Sequence, residues 1–298
     1  MAGEYSTTGT ITNLQEKVIG PARMTLKDDA LSIKSSYQIE RGRPGMDDTF
    51  NSPKIPGVTA FGLTEGVEMV SESLVDSNVA ISATEVGVSV LLTEKMLRTV
   101  SRDQFLRDAG KAMGSAINVK QEQDFAVLID GYGTVVGLDG ASATIGQLSA
   151  GLNQLRASTE PVSEAEMRNV SAVLHPYAWH DIALLLFPTG SGEAHAPNTP
   201  TPASVAERTF NRYGPTSTYF GTPIKLSTNV VASGANFRSG IFHRKSALIY
   251  EFMPVELKTD EFPRARAIEL NMVIDYGSGE LLDSAGREWD HDGTAPTS

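Results

Sequence analysis

Cysteine is absent from the 298 residues, which removes disulfides, thiolate metal sites and cysteine nucleophiles together. Cations are scarce: 25 Lys and Arg face 36 Asp and Glu, a net charge of −11. A general nucleic-acid-binding surface needs clustered Lys and Arg, so that class is disfavoured, as is attachment to an anionic membrane. Long apolar runs are also missing. The most apolar stretch, residues 182–187, is far shorter than a bilayer span. The start, MAGEYSTTGT, lacks a basic segment followed by an apolar core, so no secretory signal is expected. There are two tryptophans, Trp179 and Trp289, both expected to be packing anchors, and no internal repeat. A hydrophobic content of 40% still allows a sizeable core, and the length suits two lobes or one large domain with insertions. The expectation is a soluble acidic protein of a reducing compartment.

What is present is dominated by one stretch. Between Ser101 and Asp130, the apolar residues Phe105, Ala109, Ala112, Met113, Ala116, Val119, Ala126 and Ile129 recur mostly at three- and four-residue steps. That spacing predicts one helix, with Ser101 as its cap, Asp103 and Asp108 near its positive pole, and Gly131 ending it in the left-handed conformation. Such a rod is about 45 Å long. Gly110 and Gly114 within it are expected to permit close packing or a bend.

The chain around this helix changes texture several times. Residues 1–12 are rich in Ser, Thr and Gly, and weak helical spacing follows at 13–20 and 24–33. From about residue 36 to 75, Tyr37, Phe50, Ile55, Phe61, Val67 and Met69 are scattered among prolines and glycines. This predicts a long extended excursion that finds no core of its own. Residues 78–92 alternate as one bent strand or two short ones, and Thr93 opens a short helix. Thr144 is placed to cap a helix to about Ala157, Val170–Leu174 reads as a buried strand, and His175-Pro176 starts a further helix. A proline-rich loop at 188–202 and a short helix at 203–210 precede strands expected at 218–231, 241–252, 255–259 and 268–276. Beta, helix, mixed and again beta is the order of a chain whose middle, roughly 131–242, is inserted.

Motifs for chemistry are weak. Gly131, Gly133 and Gly137 imitate a dinucleotide loop, but the third glycine is one position late and the loop follows a helix. His175 and His180 are five apart, whereas a helical zinc pair needs four. His195 and His291 stand alone, and His243-Arg244-Lys245 reads as a salt-bridging knot at a strand edge. The acidic pairs Asp47-Asp48 and Glu65/Glu68 lie in the excursion, without the shielded pocket that shifts a catalytic carboxyl. Asp181 beside His180 could serve a soluble hydrolase, yet no Gly-x-Ser-x-Gly elbow accompanies them. The chain is therefore expected not to be an enzyme, with no catalytic or metal residue and no cofactor.

The succession of parts carries more than any motif. TAFGLTEGVEM at 59–69, ISATEVGVSVLLTEKML at 81–97, the long helix, and VSAVLHPYAWHDI at 170–182 together resemble the HK97-like major capsid proteins of tailed phages. The resemblance of order covers nearly the whole chain. It implies an α+β fold with an N-arm at 1–35, an extended E-loop at 36–78, and a P-domain whose spine helix lies on a β-sheet at 79–130 and 243–288. An inserted α/β A-domain at 131–242 and a tail at 289–298 complete it. It further implies a subunit of an icosahedral head shell around phage double-stranded DNA, assembled in the host cytoplasm. Hexamers and pentamers of itself, scaffolding and portal proteins, and DNA bound without sequence specificity would be its partners, with no membrane. Intersubunit contacts would fall on Phe50, Lys54, Ile55, Phe61, Glu65, Glu68 and Met69 of the E-loop. Lys54 is its only lysine and has no identifiable cross-linking partner, so a non-covalent lattice is expected. An encapsulin-like nanocompartment shell is the nearest alternative, and the hydrolase the more distant one.

Overall fold

In the computed structural model the described residues are 30–43, 45, 47–54, 60–69, 71, 77–99, 102–158, 162–186, 217–219 and 221–295. The expected N-arm helix at 13–20, residues 24–29 of the second, Ser101, Phe105's side chain, Ile55, the proline-rich loop with His195, and the 203–210 helix lie outside them, and residues 30–33 are not helical. In chain order the strands and helices are β1 (Gln38–Arg41), β2 (Thr49–Lys54), β3 (Ser77–Ser82), β4 (Thr84–Thr93), α1 (Glu94–Thr99), α2 (Arg102–Asp130), β5 (Val135–Gly137) and α3 (Ile145–Arg156). Then follow β6 (Val170–Leu174), α4 (Pro176–Leu186), β7 (Ser217–Tyr219), β8 (Thr222–Leu226), β9 (Val231–Ser233), β10 (Asn236–His243), β11 (Ala247–Phe262), β12 (Ala267–Glu280) and β13 (Gly286–Asp292). The fold is mixed α+β. No helix among the described residues is long and apolar enough to cross a membrane.

Helix α2 runs for 29 residues, about 43 Å, close to the length its periodicity predicts. Its buried face differs in detail. Met113, Ile117, Phe125, Ala126 and Ile129 are sealed, and between them Gln121 and Glu122 are buried too, whereas Ala112 is exposed. Gly110 and Gly114 meet open space, so no close packing requires them. Gly131 does not enter the left-handed region. The exit tightens instead through the Tyr132 N–H donating to the Ile129 carbonyl at 3.4 Å.

Two main sheets lie against this helix. The smaller has the order β1-β11-β12-β4, and its buried residues Leu92, Leu270, Met272, Ile274 and Tyr276 pack with Met113, Ile117 and Phe125. The larger has the order β5-β13-β10-β6-β8-β7, with β9 beside β10. Its alternation serves two cores. Val173 and Phe242 join the α2 core, while Ala172, Leu174, Ile241 and Trp289 face α3 and α4. Strand pairing cuts across the boundaries expected from sequence in two places. β1, expected in the excursion, pairs in parallel with Leu248–Glu251 of β11. β13, expected with the return strands and tail, pairs with β10 and β5.

Local chemistry explains most element ends. Thr144 Oγ1 accepts the Gln147 N–H at 3.2 Å and Gln147 returns the bond at 2.9 Å, a full capping box on α3. The glycine-rich stretch after α2 supplies β5, not a phosphate cradle. Gly137 sits at φ 90° where a Cβ would approach the Asp290 carbonyl oxygen to 2.2 Å, so only glycine lets β5 lie on β13. A Cβ on Gly240 would meet Ile129 at 2.5 Å, which is why the end of α2 can press directly onto β10.

Candidate assembly surface

Strands β2 and β3 form a separate two-stranded ladder running from Thr49↔Ser82 to Lys54↔Ser77. Its base is anchored in its own subunit. Phe50 packs against Tyr250 at 5.4 Å, Ile81 joins Leu248 and Tyr250 in a small core, and the Tyr250 hydroxyl donates to the Asp47 carbonyl at 3.1 Å. The excursion therefore has more local support at its base than its composition suggests. Beyond the ladder, residues 60–69 are exposed throughout. Phe61 is 51%, Leu63 71%, Val67 66% and Met69 69% exposed, and Glu65 and Glu68 add two negative charges without a Lys or Arg in that segment.

Of the seven residues expected to make contacts, Phe61, Glu65, Glu68 and Met69 stand together on this exposed segment. Phe50 is committed in part to the internal core, and Lys54 closes the ladder opposite Ser77 near the charge of Glu280. Leu63 and Val67 belong with the exposed set, which their two-residue spacing from Phe61 and Met69 could have revealed.

A second exposed apolar set lies on β11. Residues 253–262 pair with β12 on one side, but β1 ends opposite Glu251, so the other edge of this half has no strand among the described residues. Met253, Val255, Leu257 and Phe262 are 41–52% exposed there. The β11–β12 turn carries Arg264 and Arg266, the latter at φ 46°, above a shallow cleft that also includes Lys95 and Arg98. Glu256, Lys258, Asp260 and Glu261 are exposed on the same half, so this open strand edge is mixed in charge as well as partly apolar, and it leaves backbone groups free to pair with extended chain.

His175, His291 and His243 have structural settings, whereas His180 Nε2 is buried without a hydrogen-bond partner among the described residues. His175 Nδ1 accepts the Tyr177 N–H at 3.2 Å, so the imidazole caps α4, and its ring stacks on Phe237 at 3.7 Å. His291 Nδ1 donates to the Asp292 carbonyl at 2.9 Å, leaving Nε2 to accept from Ser239 Oγ at 2.7 Å. This serine–histidine pair is sealed, with both residues fully buried, and so presents no reacting face to a substrate. His243 Nε2 meets Glu166 at 3.2 Å, a hydrogen bond that becomes an ion pair only when the imidazole is protonated. No group of three potential metal ligands occurs among the described residues.

Burial pushes His175 down to about 4, and holds His291 and His243 below the ordinary imidazole range. Unfolded histidine titrates near 6.5. As pH falls through that value the unfolded chain binds protons that the native state refuses, so stability is present above it and is lost toward pH 4. Thermal midpoints should fall between pH 7 and 4.5, and His175→Phe, which keeps the stack on Phe237, should shallow the slope. A profile identical in the two proteins would remove His175 as a cause.

No protein-family model and no curated protein matches the sequence. Solved structures do. The capsid of Helicobacter pylori bacteriophage KHP30 superposes with a TM-score of 0.64 at 10% identity, covering 94% of this chain and 96% of that one. The chain has a capsid fold. The capsid of an empty GTA particle gives 0.62 at 11% identity over 98% of this chain and 100% of that one, and the cyanophage P-SCSP1u capsid 0.62 at 11% over 95% and 94%. The capsid resemblance read from the order of parts is met at the level of fold.

Proposed function

We propose that this chain is a structural shell subunit that self-assembles into an icosahedral phage head around double-stranded DNA. The observation that carries this is a capsid fold over nearly the whole chain, together with an apolar segment at 60–69 that is exposed throughout beyond the β2–β3 ladder. In this reading residues 1–35 are the N-arm, the E-loop rises from β2 and β3, and α2 is the spine of a P-domain made with β1, β4, β11 and β12. The A-domain is built on the larger sheet, with β13 included. A neighbouring copy receives the excursion. Phe61, Leu63, Val67 and Met69 lie along the open edge of its β11, and Glu65 and Glu68 are directed toward Arg264 and Arg266 of its turn, away from Glu256, Asp260 and Glu261 on the strand. Hexamers and pentamers, a scaffold and a portal are the partners this implies, and localisation is the virion capsid after assembly in the host cytoplasm. The acidic chain keeps packaged DNA from adhering to the wall.

Electron microscopy and sedimentation of the purified full chain, with and without co-expressed scaffold, test the proposal. Closed icosahedral particles are expected. Only small discrete oligomers under both conditions would overturn it, and particles enclosing a protein cargo instead of DNA in the native source would reassign it to a nanocompartment.

A further inference from the structure

The C-terminal end of α2 meets the larger sheet through an unbalanced set of charges. Arg238 on β10 contacts Asp290, its register partner on β13, and lies 3.3 Å from Glu288, 3.3 Å from Asp139 and 3.7 Å from Asp130, the last residue of α2. One guanidinium thus faces four carboxylates. They also stand at the negative pole of a 29-residue helix, where cations are favoured and acids are not. Glu288 and Asp290 are 6% and 7% exposed, so water does little to screen them, and Asp290 Oδ1 and Arg238 Nε have no hydrogen-bond partner among the described residues. The groups acting on Glu288 among the described residues are Asp290 on its own strand, Arg238 on β10 and Asp130 on α2, while Asp139 after β5 meets Arg238 from the other side of the cluster. Fully ionised, this junction repels itself.

We infer that the junction between α2 and the β10–β13 pair is a proton-operated latch, held closed by a proton on Glu288 and loosened when that proton leaves. Beneath it Ile129 rests directly on Gly240, so the contact between the helix end and β10 that underlies these charges is apolar and carries no counter-charge of its own. This latch belongs to the single folded chain and does not depend on the shell reading. Its electrostatics agree with the geometry. Burial first, then the hydrogen bond and charge of Asp290, push Glu288 up to about 8 against the pull of Arg238. The closed state therefore keeps a proton that an opened, hydrated Glu288 releases near its ordinary value. Opening is resisted fully in acid, is progressively eased from about pH 5, and gains nothing more above about pH 8.

Amide hydrogen exchange on the full chain and on Glu288→Gln, from pH 5 to 9 with intrinsic rates divided out, tests this. In the unmodified protein, opening at Ser239, Gly240 and Glu288–Asp290 should rise relative to the variant by up to about tenfold per pH unit, then level above pH 8. Residues 267–274 of β12 should show no such difference. Parallel profiles in the two proteins would overturn the latch. Carbon-13 titration of the Glu288 carboxyl in the unmodified chain is a second measurement and needs no variant. A midpoint about 8 supports the latch, and one in the ordinary carboxylate range overturns it.

Discussion

A chain in which residues 55–76 are replaced by Asn-Gly is expected to fold as a monomer and to form no closed shells. Lys54 and Ser77 are direct register partners, so a two-residue turn of that type closes the ladder without disturbing its twist. The shortened connection keeps Phe50, Val79 and Ile81 on Tyr250 and Leu248. Loop closure becomes easier, so the melting temperature should hold or rise. What disappears is the exposed set Phe61, Leu63, Val67 and Met69 with its two glutamates. Burying each such side chain on a neighbour is worth about 1.5–3 kcal/mol, a contribution repeated at every contact of a shell. Circular dichroism and melting report the fold, and sedimentation with electron microscopy reports assembly. Closed particles from this variant would dismiss the excursion as the contact element. An unfolded monomer would make it part of the subunit's own core.

Much of this arrangement was readable from local pattern. The three- and four-residue spacing of α2, the alternation on either side of Ala83, the apolar run of β6, Thr144 and His175-Pro176 all act within one or two turns of chain, where side-chain periodicity and capping decide the outcome. β11 was harder. Its sequence reads as two strands broken at Pro254, and the structure keeps one strand by placing that proline inside the second of two register shifts, between Met253 and Glu256, where a missing N–H costs no ladder bond. The strand expected to run from 241 to 252 is split by a turn at 244–246, closed by the Ser246 N–H on the His243 carbonyl at 2.9 Å. The charged junction was not readable at all. Arg238 and Asp290 are far apart in sequence, and nothing local to either marks the other, because the register of β10 on β13 alone brings them together. The open edge of β11 escapes for the same reason. It depends on where β1 stops, and β1 is four residues long.

The buried Glu122 shows how such long-range pairing carries consequence. Its two carboxylate oxygens accept the N–H groups of Ile33 at 2.9 Å and Lys34 at 3.0 Å, fastening the short helical turn at Lys34–Ser36 to the middle of α2. Lys34 also reaches Gln121 and forms an ion pair with Glu251, while Lys225 holds the hydroxyls of Ser35 and Ser36, each at 2.8 Å. Ile33 and Tyr37 on either side of this clamp are fully buried, and Tyr37 stacks on Phe242 at 4.4 Å. The direction in which the chain leaves toward residue 30 is therefore set by one carboxylate on the spine helix. Glu122→Leu preserves the volume but leaves one buried and one partly buried donor without this acceptor and removes the negative charge beside Lys225. Losing one side of such a network costs about 3–5 kcal/mol, whereas Glu122→Gln, which keeps one acceptor, should lose roughly half of that. Urea unfolding measures the stability, and limited proteolysis near Lys34 reports whether the clamp has opened before global unfolding. If Glu122→Leu loses less than about 1 kcal/mol and residues 33–37 stay protected, the apolar contacts of Ile33 and Tyr37 hold the turn by themselves, and the carboxylate is not what aims the arm.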